Sequence, residues 1–122
     1  MTVKTLLIVD DSKVSRMMIS ALVNELDSSF QLLEADCGDS ALEMCKTNSI
    51  DFFSVDLNMP GIDGLELIKK LIPEYPNAKF SLLTANVQDS IQAQCEELGI
   101  KYTEKPVTED CIRLMLEYFN GK

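Results

Sequence analysis

A chain of 122 residues, 46% apolar and with a net charge of −9, can form one domain around a real core without metal or disulfide staples. The acidic balance, with no basic cluster, argues against nucleic acid and anionic membrane as direct partners. No apolar run nears the ~20 residues of a membrane span, and the run Leu6–Val9, ended by Asp10 and Asp11, is too short for a signal peptide, so a cytoplasmic location is expected.

Short apolar runs alternate with amphipathic segments along the chain. The first candidate strand is Leu6–Val9. The helix after it carries Val14, Met17, Met18, Ala21 and Leu22 at helical spacing, a stripe expected to pack in the core. A second strand, Leu32–Ala35, leads to a helix that starts at Ser40, with Glu43 completing a capping box. The third strand, Phe52–Val55, precedes a helix opened by Asp63 and Glu66 and stopped near Ile72 by Pro73. A fourth strand, Phe80–Thr84, is followed by a helix over Asp89–Leu98 with Gly99 at its end. The fifth strand is Lys101–Glu104. The last helix starts at Thr108, aligns Ile112, Met115, Leu116 and Phe119 on one face, and closes at Asn120 and Gly121. Of the four cysteines, none forms a Cys-x-x-Cys pair, and Cys45, Cys95 and Cys111 fall at apolar helix positions as small buried hydrophobes.

Five strands alternating with five helices predict an α/β doubly wound parallel sheet, one domain over residues 1–122. The first, third and fourth strands are nearly all apolar, as strands covered on both faces are, whereas the second and fifth are mixed, as sheet edges are. The order 2-1-3-4-5, flavodoxin-like, follows, and ligands of such sheets sit at the carboxyl ends of the strands.

Asp10 and Asp11 follow the first strand, Asp56 ends the third, Thr84 and Ala85 end the fourth, and Lys105 and Pro106 follow the fifth. Three carboxylates against one ammonium leave an excess of negative charge. Two like charges ~4 Å apart repel by about 4 kcal/mol at an effective dielectric near 20. Such a cluster raises a carboxylate pKa or recruits a cation. Its hard oxygen ligands suit Mg²⁺, and the Asp-rich loop of an EF-hand Ca²⁺ site is absent. A carboxylate there can attack phosphorus, while the cation and Lys105 offset charge on the transferring group and Thr84 donates a hydroxyl. The chain has no histidine, which removes Ser-His-Asp and Cys-His catalysis, and any phospho-histidine must come from another protein.

The segments Leu7-Ile8-Val9-Asp10-Asp11-Ser12, Val55 to Gly64, Leu82-Leu83-Thr84-Ala85 and Glu104-Lys105-Pro106 resemble the motifs of the response-regulator receiver domain family. They stand in the family's order, each behind its own strand, and the resemblance spans essentially the whole chain, which is similar to the single-domain chemotaxis regulators. It implies Asp56 as phosphoacceptor and Asp10, Asp11, Asp56 and the backbone carbonyl of Asn58 as Mg²⁺ ligands. Thr84 and Lys105 would bind the phosphoryl group, and Tyr102 is the aromatic switch position. It further implies a sensor histidine kinase or histidine phosphotransfer protein as donor, a downstream target protein bound by helix four, strand five and helix five, and often a cis bond at Lys105–Pro106.

Taken singly, each residue has an ordinary explanation. Asp11 or Ser12 caps a helix, Lys105 is a solvated lysine, Thr84 and Tyr102 are strand residues, and Pro60-Gly61 is a type II turn. The joint pattern decides. No output domain is expected after the last helix, which leaves a stand-alone switch, a phosphorelay shuttle and an excised receiver open. An aspartyl-phosphate phosphohydrolase of the haloacid dehalogenase type needs an acid/base carboxylate where Asn58 stands. A flavodoxin would not place Asp10-Asp11 against a phosphate.

Overall fold

The computed structural model describes residues 3–86 and 88–121. Five parallel strands form one sheet in the order β2-β1-β3-β4-β5. The elements alternate strictly: β1 Lys4–Val9, α1 Lys13–Leu26, β2 Phe30–Ala35, α2 Gly38–Thr47, β3 Phe52–Asp56, α3 Gly64–Leu71, β4 Lys79–Thr84, α4 Asp89–Leu98, β5 Lys101–Glu104 and α5 Glu109–Phe119. The expected order and edge strands are therefore found.

Strand alternation builds two cores. Leu7, Val9, Phe53, Val55, Phe80 and Leu82 face α2, α3 and α4, where they meet Ala41, Cys45, Leu67, Ile68 and Cys95. Leu6, Ile8 and Leu83 face α1 and α5, where they meet Ile19, Val23, Ile112, Met115 and Phe119. Phe53 stacks on Phe80 at 4.7 Å in the first core and Phe52 on Phe119 at 4.8 Å in the second. A side chain of this kind, where it is fully buried as Phe53 is, contributes about 1.5–3 kcal/mol. This double covering fixes the central strands and hence the positions of their carboxyl ends.

Local sequence sets the helix ends. Ser12 caps α1 by accepting from the Ser15 N–H, Asp63 caps α3 through the Glu66 N–H, and Thr108 caps α5 through the Cys111 N–H. Gly99 ends α4 in the left-handed region. The Lys105–Pro106 bond is cis.

Two expectations need correction. The stripe Val14, Met17, Met18, Ala21, Leu22 is not the core face: Val14, Met17 and Met18 are 66%, 58% and 45% exposed, and Ile19 and Val23 are buried instead. Helix α1 is apolar on two sides, and Ile19, Val23 and Leu26 also follow helical spacing. Periodicity alone therefore admits two faces, and contact with the sheet and α5 selects the other one. Helix α2 begins at Gly38 rather than Ser40. Cys37 is its N-cap, accepting from the Ser40 N–H, while the Ser40 hydroxyl turns back to Asp36. Cys45 and Cys95 are buried as expected, whereas Cys111 is only half-buried.

Candidate functional site

The carboxyl ends of β1, β3, β4 and β5 converge on one edge of the sheet. Asp10, Asp11 and Asp56 each bring a carboxylate oxygen within 4.8 Å of the others. Asp10 and Asp56 are buried, at 1% and 6% exposure, and Asp11 faces solvent. The Lys105 ammonium reaches in from the loop after β5 and bridges two of them, 3.0 Å from Asp10 Oδ2 and 3.1 Å from Asp56 Oδ1. Residues far apart in sequence meet here because each occupies the end of a strand whose register is set by the two cores.

The backbone holds each group in place. The Asp10 N–H donates to the Ala35 carbonyl, and Asp10 Oδ1 accepts from the Ser12 N–H. Because Ser12 takes the cap of α1, the Asp11 carboxylate is left to the site. The Leu57 N–H donates to the Leu83 carbonyl at 2.9 Å, tying the segment after Asp56 to β4, and the Lys105 N–H donates to the Thr84 carbonyl at 2.9 Å, tying β5 to the same strand. Gly61 takes φ +81°, as the third position of a type II turn requires. Gly64 opens α3 against the end of β3, where an added Cβ would collide with the Asp56 carbonyl oxygen.

The electrostatics follow from this packing. Burial pushes the Asp56 carboxyl above its ordinary range, Asp10 and Asp11 add to the push, and Lys105 opposes it. Burial works against the Lys105 ammonium, but the Asp10 hydrogen bond and the charges of Asp56 and Asp10 outweigh it and hold its pKa above the usual lysine range. Three hard carboxylates facing one ammonium fit a divalent cation of the Mg²⁺ kind.

The other predicted site residues are placed as follows. Thr84 is fully buried, and its hydroxyl accepts from the Asn86 N–H at 3.0 Å and donates to the Asn86 carbonyl at 3.2 Å, so it is engaged locally. Asn58 is exposed two residues beyond Asp56. Tyr102 is half-buried and packs against the core on the α4 side. Gln92, Glu96 and Arg113 are exposed on α4 and α5. Sequence reasoning gave no role to Arg16 or Gly64, both of which shape the site.

A family model described as the response regulator receiver domain matches residues 6–117. Response regulator UvrY of Escherichia coli is 31% identical over 93 residues, 76% of this chain and 43% of that protein, so the chain spans less than half the length of such relatives. Chemotaxis protein CheY4 of Vibrio cholerae shares the fold with a TM-score of 0.85 at 22% identity, over 97% of this chain and 99% of that one. Response regulator protein TrrA of Thermotoga maritima, solved in complex with Mg²⁺–BeF, has a TM-score of 0.81 at 25% identity, over 95% and 98%. An acidic strand-end cluster faced by a lysine, in a 2-1-3-4-5 sheet matched by that family over nearly its full length, makes this chain a member of the response regulator receiver domains of two-component signalling.

Proposed function

We propose that Asp56 accepts a phosphoryl group from a phospho-histidine on a sensor histidine kinase or a histidine phosphotransfer protein. Asp10, Asp11, Asp56 and the Asn58 backbone carbonyl would hold Mg²⁺. The observation that carries this reading is the meeting of three carboxylates within 4.8 Å beside the Lys105 ammonium. When bound, Mg²⁺ supplies positive charge to the transferring phosphoryl oxygens.

The chain's own groups do the rest. An Asp56 carboxylate oxygen attacks phosphorus, the phosphorus–nitrogen bond to the donor imidazole breaks, and its electron pair stays on that nitrogen. Lys105, already 3.1 Å from Asp56, shifts its attraction to a phosphoryl oxygen. The Thr84 hydroxyl leaves Asn86 to donate to the phosphoryl group, and Tyr102 moves with it. The surface of α4, β5 and α5 then changes its affinity for a downstream target protein, as in chemotaxis-type regulators. Asn58 and Asn86 flank the path of the water that hydrolyses the acyl phosphate. In this reading the domain is a cytoplasmic switch whose only turnover is its own dephosphorylation.

Incubation with acetyl phosphate and Mg²⁺, followed by intact mass and site mapping, tests the proposal. A gain of one phosphoryl group on Asp56, abolished by Asp56→Asn or by chelation, is expected. An unchanged mass, or a label elsewhere that survives Asp56→Asn, would overturn it.

A further inference from the structure

Arg16 contributes nothing to the carboxylate cluster itself, yet it grips the backbone from which that cluster hangs. Its Nη1 donates to the Asp10 carbonyl at 2.6 Å and its Nε to Glu34 Oε1 at 3.0 Å. The side chain is only 14% exposed. Two neighbouring bonds close a ring around this contact. The Ser12 N–H donates to Asp10 Oδ1 at 2.9 Å, and the Arg16 N–H donates to the Ser12 carbonyl at 3.1 Å. The guanidinium, the first turn of α1 and Asp10 are therefore one hydrogen-bonded unit.

The bonded carbonyl belongs to the peptide that joins Asp10 to Asp11. Rotating that peptide would swing the Asp11 carboxylate, which lies outside the core and has no packing to hold its direction. Strand β1 ends at Val9, so no strand partner fixes that carbonyl, and the guanidinium is the donor it finds among the described residues. Glu34 sits on β2 opposite Ile8 and beside Ala35, whose carbonyl accepts the Asp10 N–H. Arg16 thus spans β2 and the end of β1 with the planar, two-point geometry that lysine lacks.

We infer that Arg16 is a positioning residue for the cation site: its fork between the Asp10 carbonyl and Glu34 sets the Asp10–Asp11 peptide and so aims Asp11 at the metal. This rests on the reading of Asp10, Asp11 and Asp56 as Mg²⁺ ligands. Mg²⁺ tolerates little departure from octahedral geometry, and losing a group that orients metal ligands commonly weakens binding about 10–100-fold.

The test is Mg²⁺ titration of the full chain by calorimetry and by backbone amide shifts, with no phosphodonor present. Arg16→Met keeps the apolar stem, Arg16→Lys keeps the charge without the fork, and Val23→Ala is a destabilising control on the buried face of the same helix. Arg16→Met is expected to weaken Mg²⁺ binding about tenfold or more and Arg16→Lys by a smaller factor, with Val23→Ala binding as the parent does. If both Arg16 variants bind Mg²⁺ within about twofold of the parent, or if Val23→Ala loses as much affinity as they do, the inference falls. If Arg16→Met does not fold, Arg16→Lys alone decides between these results. A parent chain that binds no Mg²⁺ would refute the metal-site reading instead.

Discussion

The ammonium of Lys105 stands 3.1 Å from the carboxylate of Asp56, while its backbone N–H is bonded to the Thr84 carbonyl. One residue thus joins Asp56 at the end of β3 to β4, the strand that carries the candidate switch hydroxyl. The pair is nonetheless not a simple stabilising bridge, because burial and two acidic neighbours leave the Asp56 carboxyl above its ordinary pKa despite the lysine. A carboxyl with a raised folded pKa binds its proton more tightly in the native state. Its contribution is therefore most favourable below the unfolded pKa near 3.8 and is lost as pH rises through the folded pKa. Without Mg²⁺, the stability difference between Asp56→Asn and the parent should grow in favour of the variant as pH rises from about 4 toward neutrality. Denaturant melts across that range check this, and parallel curves for the two proteins would contradict it.

Asp11 adds to the same repulsion from an exposed position. Asp11→Asn should raise metal-free stability modestly, by no more than about 1 kcal/mol in a high-dielectric setting, and should weaken Mg²⁺ binding. The two effects have opposite sign under the two conditions. Melts with and without Mg²⁺ should therefore cross in rank, and a clear loss of stability without Mg²⁺ would count against the electrostatic account.

Gly64 makes a prediction of another kind. Its missing side chain lets the first turn of α3 rest on the Asp56 and Leu57 backbone, with the Gly64 N–H donating to the Leu57 carbonyl at 2.9 Å. Gly64→Ala would drive a Cβ into the Asp56 carbonyl, and backbone cannot swing aside as a side chain can. A loss of about 2–4 kcal/mol is expected, in the range of overpacked or strained sites, together with slower phosphorylation of Asp56. At Gly38 the atoms an added Cβ would meet first are the flexible end of the Ile62 side chain, and Gly38→Ala should cost less. Urea melts of both variants, with acetyl phosphate labelling, measure the difference.

The fold was legible because composition and chain order carry it. Apolar central strands, mixed edge strands and caps such as Asp63 and Thr108 are local signals, and all of them appear at or near their expected positions. The acidic residues, Thr84 and Lys105 were legible as a set because the strand-end rule puts them on one edge. The wrong face of α1 was misread because Val14, Met17 and Met18 carry the same period as Ile19 and Val23, and only tertiary contact separates the two stripes. The start of α2 was misread because Cys37 is a weak capping acceptor by residue type, while Ser40 and Glu43 mimic a capping box inside the helix. The Arg16 fork was hidden because a long side chain's partner depends on a backbone carbonyl that no sequence pattern marks.

The misread face of α1 becomes a prediction. Val14, Met17 and Met18 are exposed on the first turns of the helix that starts just after Asp11, and the chain has no histidine of its own to donate a phosphoryl group. If Asp56 takes its phosphoryl group from a histidine on another protein, an exposed apolar strip beside the acidic cleft would suit the docking of that donor. Met17→Lys should slow transfer from a phosphorylated histidine-bearing partner about tenfold or more, since a charge in a desolvated contact costs at least ~1.4 kcal/mol. Labelling by acetyl phosphate and the melting midpoint should stay near the parent's, because the side chain lies outside the core. Equal slowing with both donors would assign the effect to the site rather than to docking.

Thr84 tests whether the site and the α4–β5–α5 surface are linked. Its hydroxyl is buried and closed into a local turn with Asn86, while its carbonyl is bonded to the Lys105 N–H. Thr103 lies opposite Leu83 and Tyr102 opposite Leu82, so β5 is read out along the same strand pair. If the hydroxyl is drawn to the phosphoryl group, the turn at Asn86 opens and the chain entering α4 shifts. Thr84→Ala should then leave Asp56 able to take the label, severalfold more slowly, while removing most of the phosphorylation-dependent amide shifts around Gln92, Glu96, Tyr102 and Arg113. The backbone bonds that hold Lys105 do not involve the hydroxyl, so resting stability should fall only by the ~1 kcal/mol of a lost local hydrogen bond. Amide spectra of parent and variant, each with and without acetyl phosphate, separate the cases. Undiminished shifts on α4 and β5 in Thr84→Ala would mean that the signal leaves the site by another route, with the Lys105 ammonium as the next link to remove.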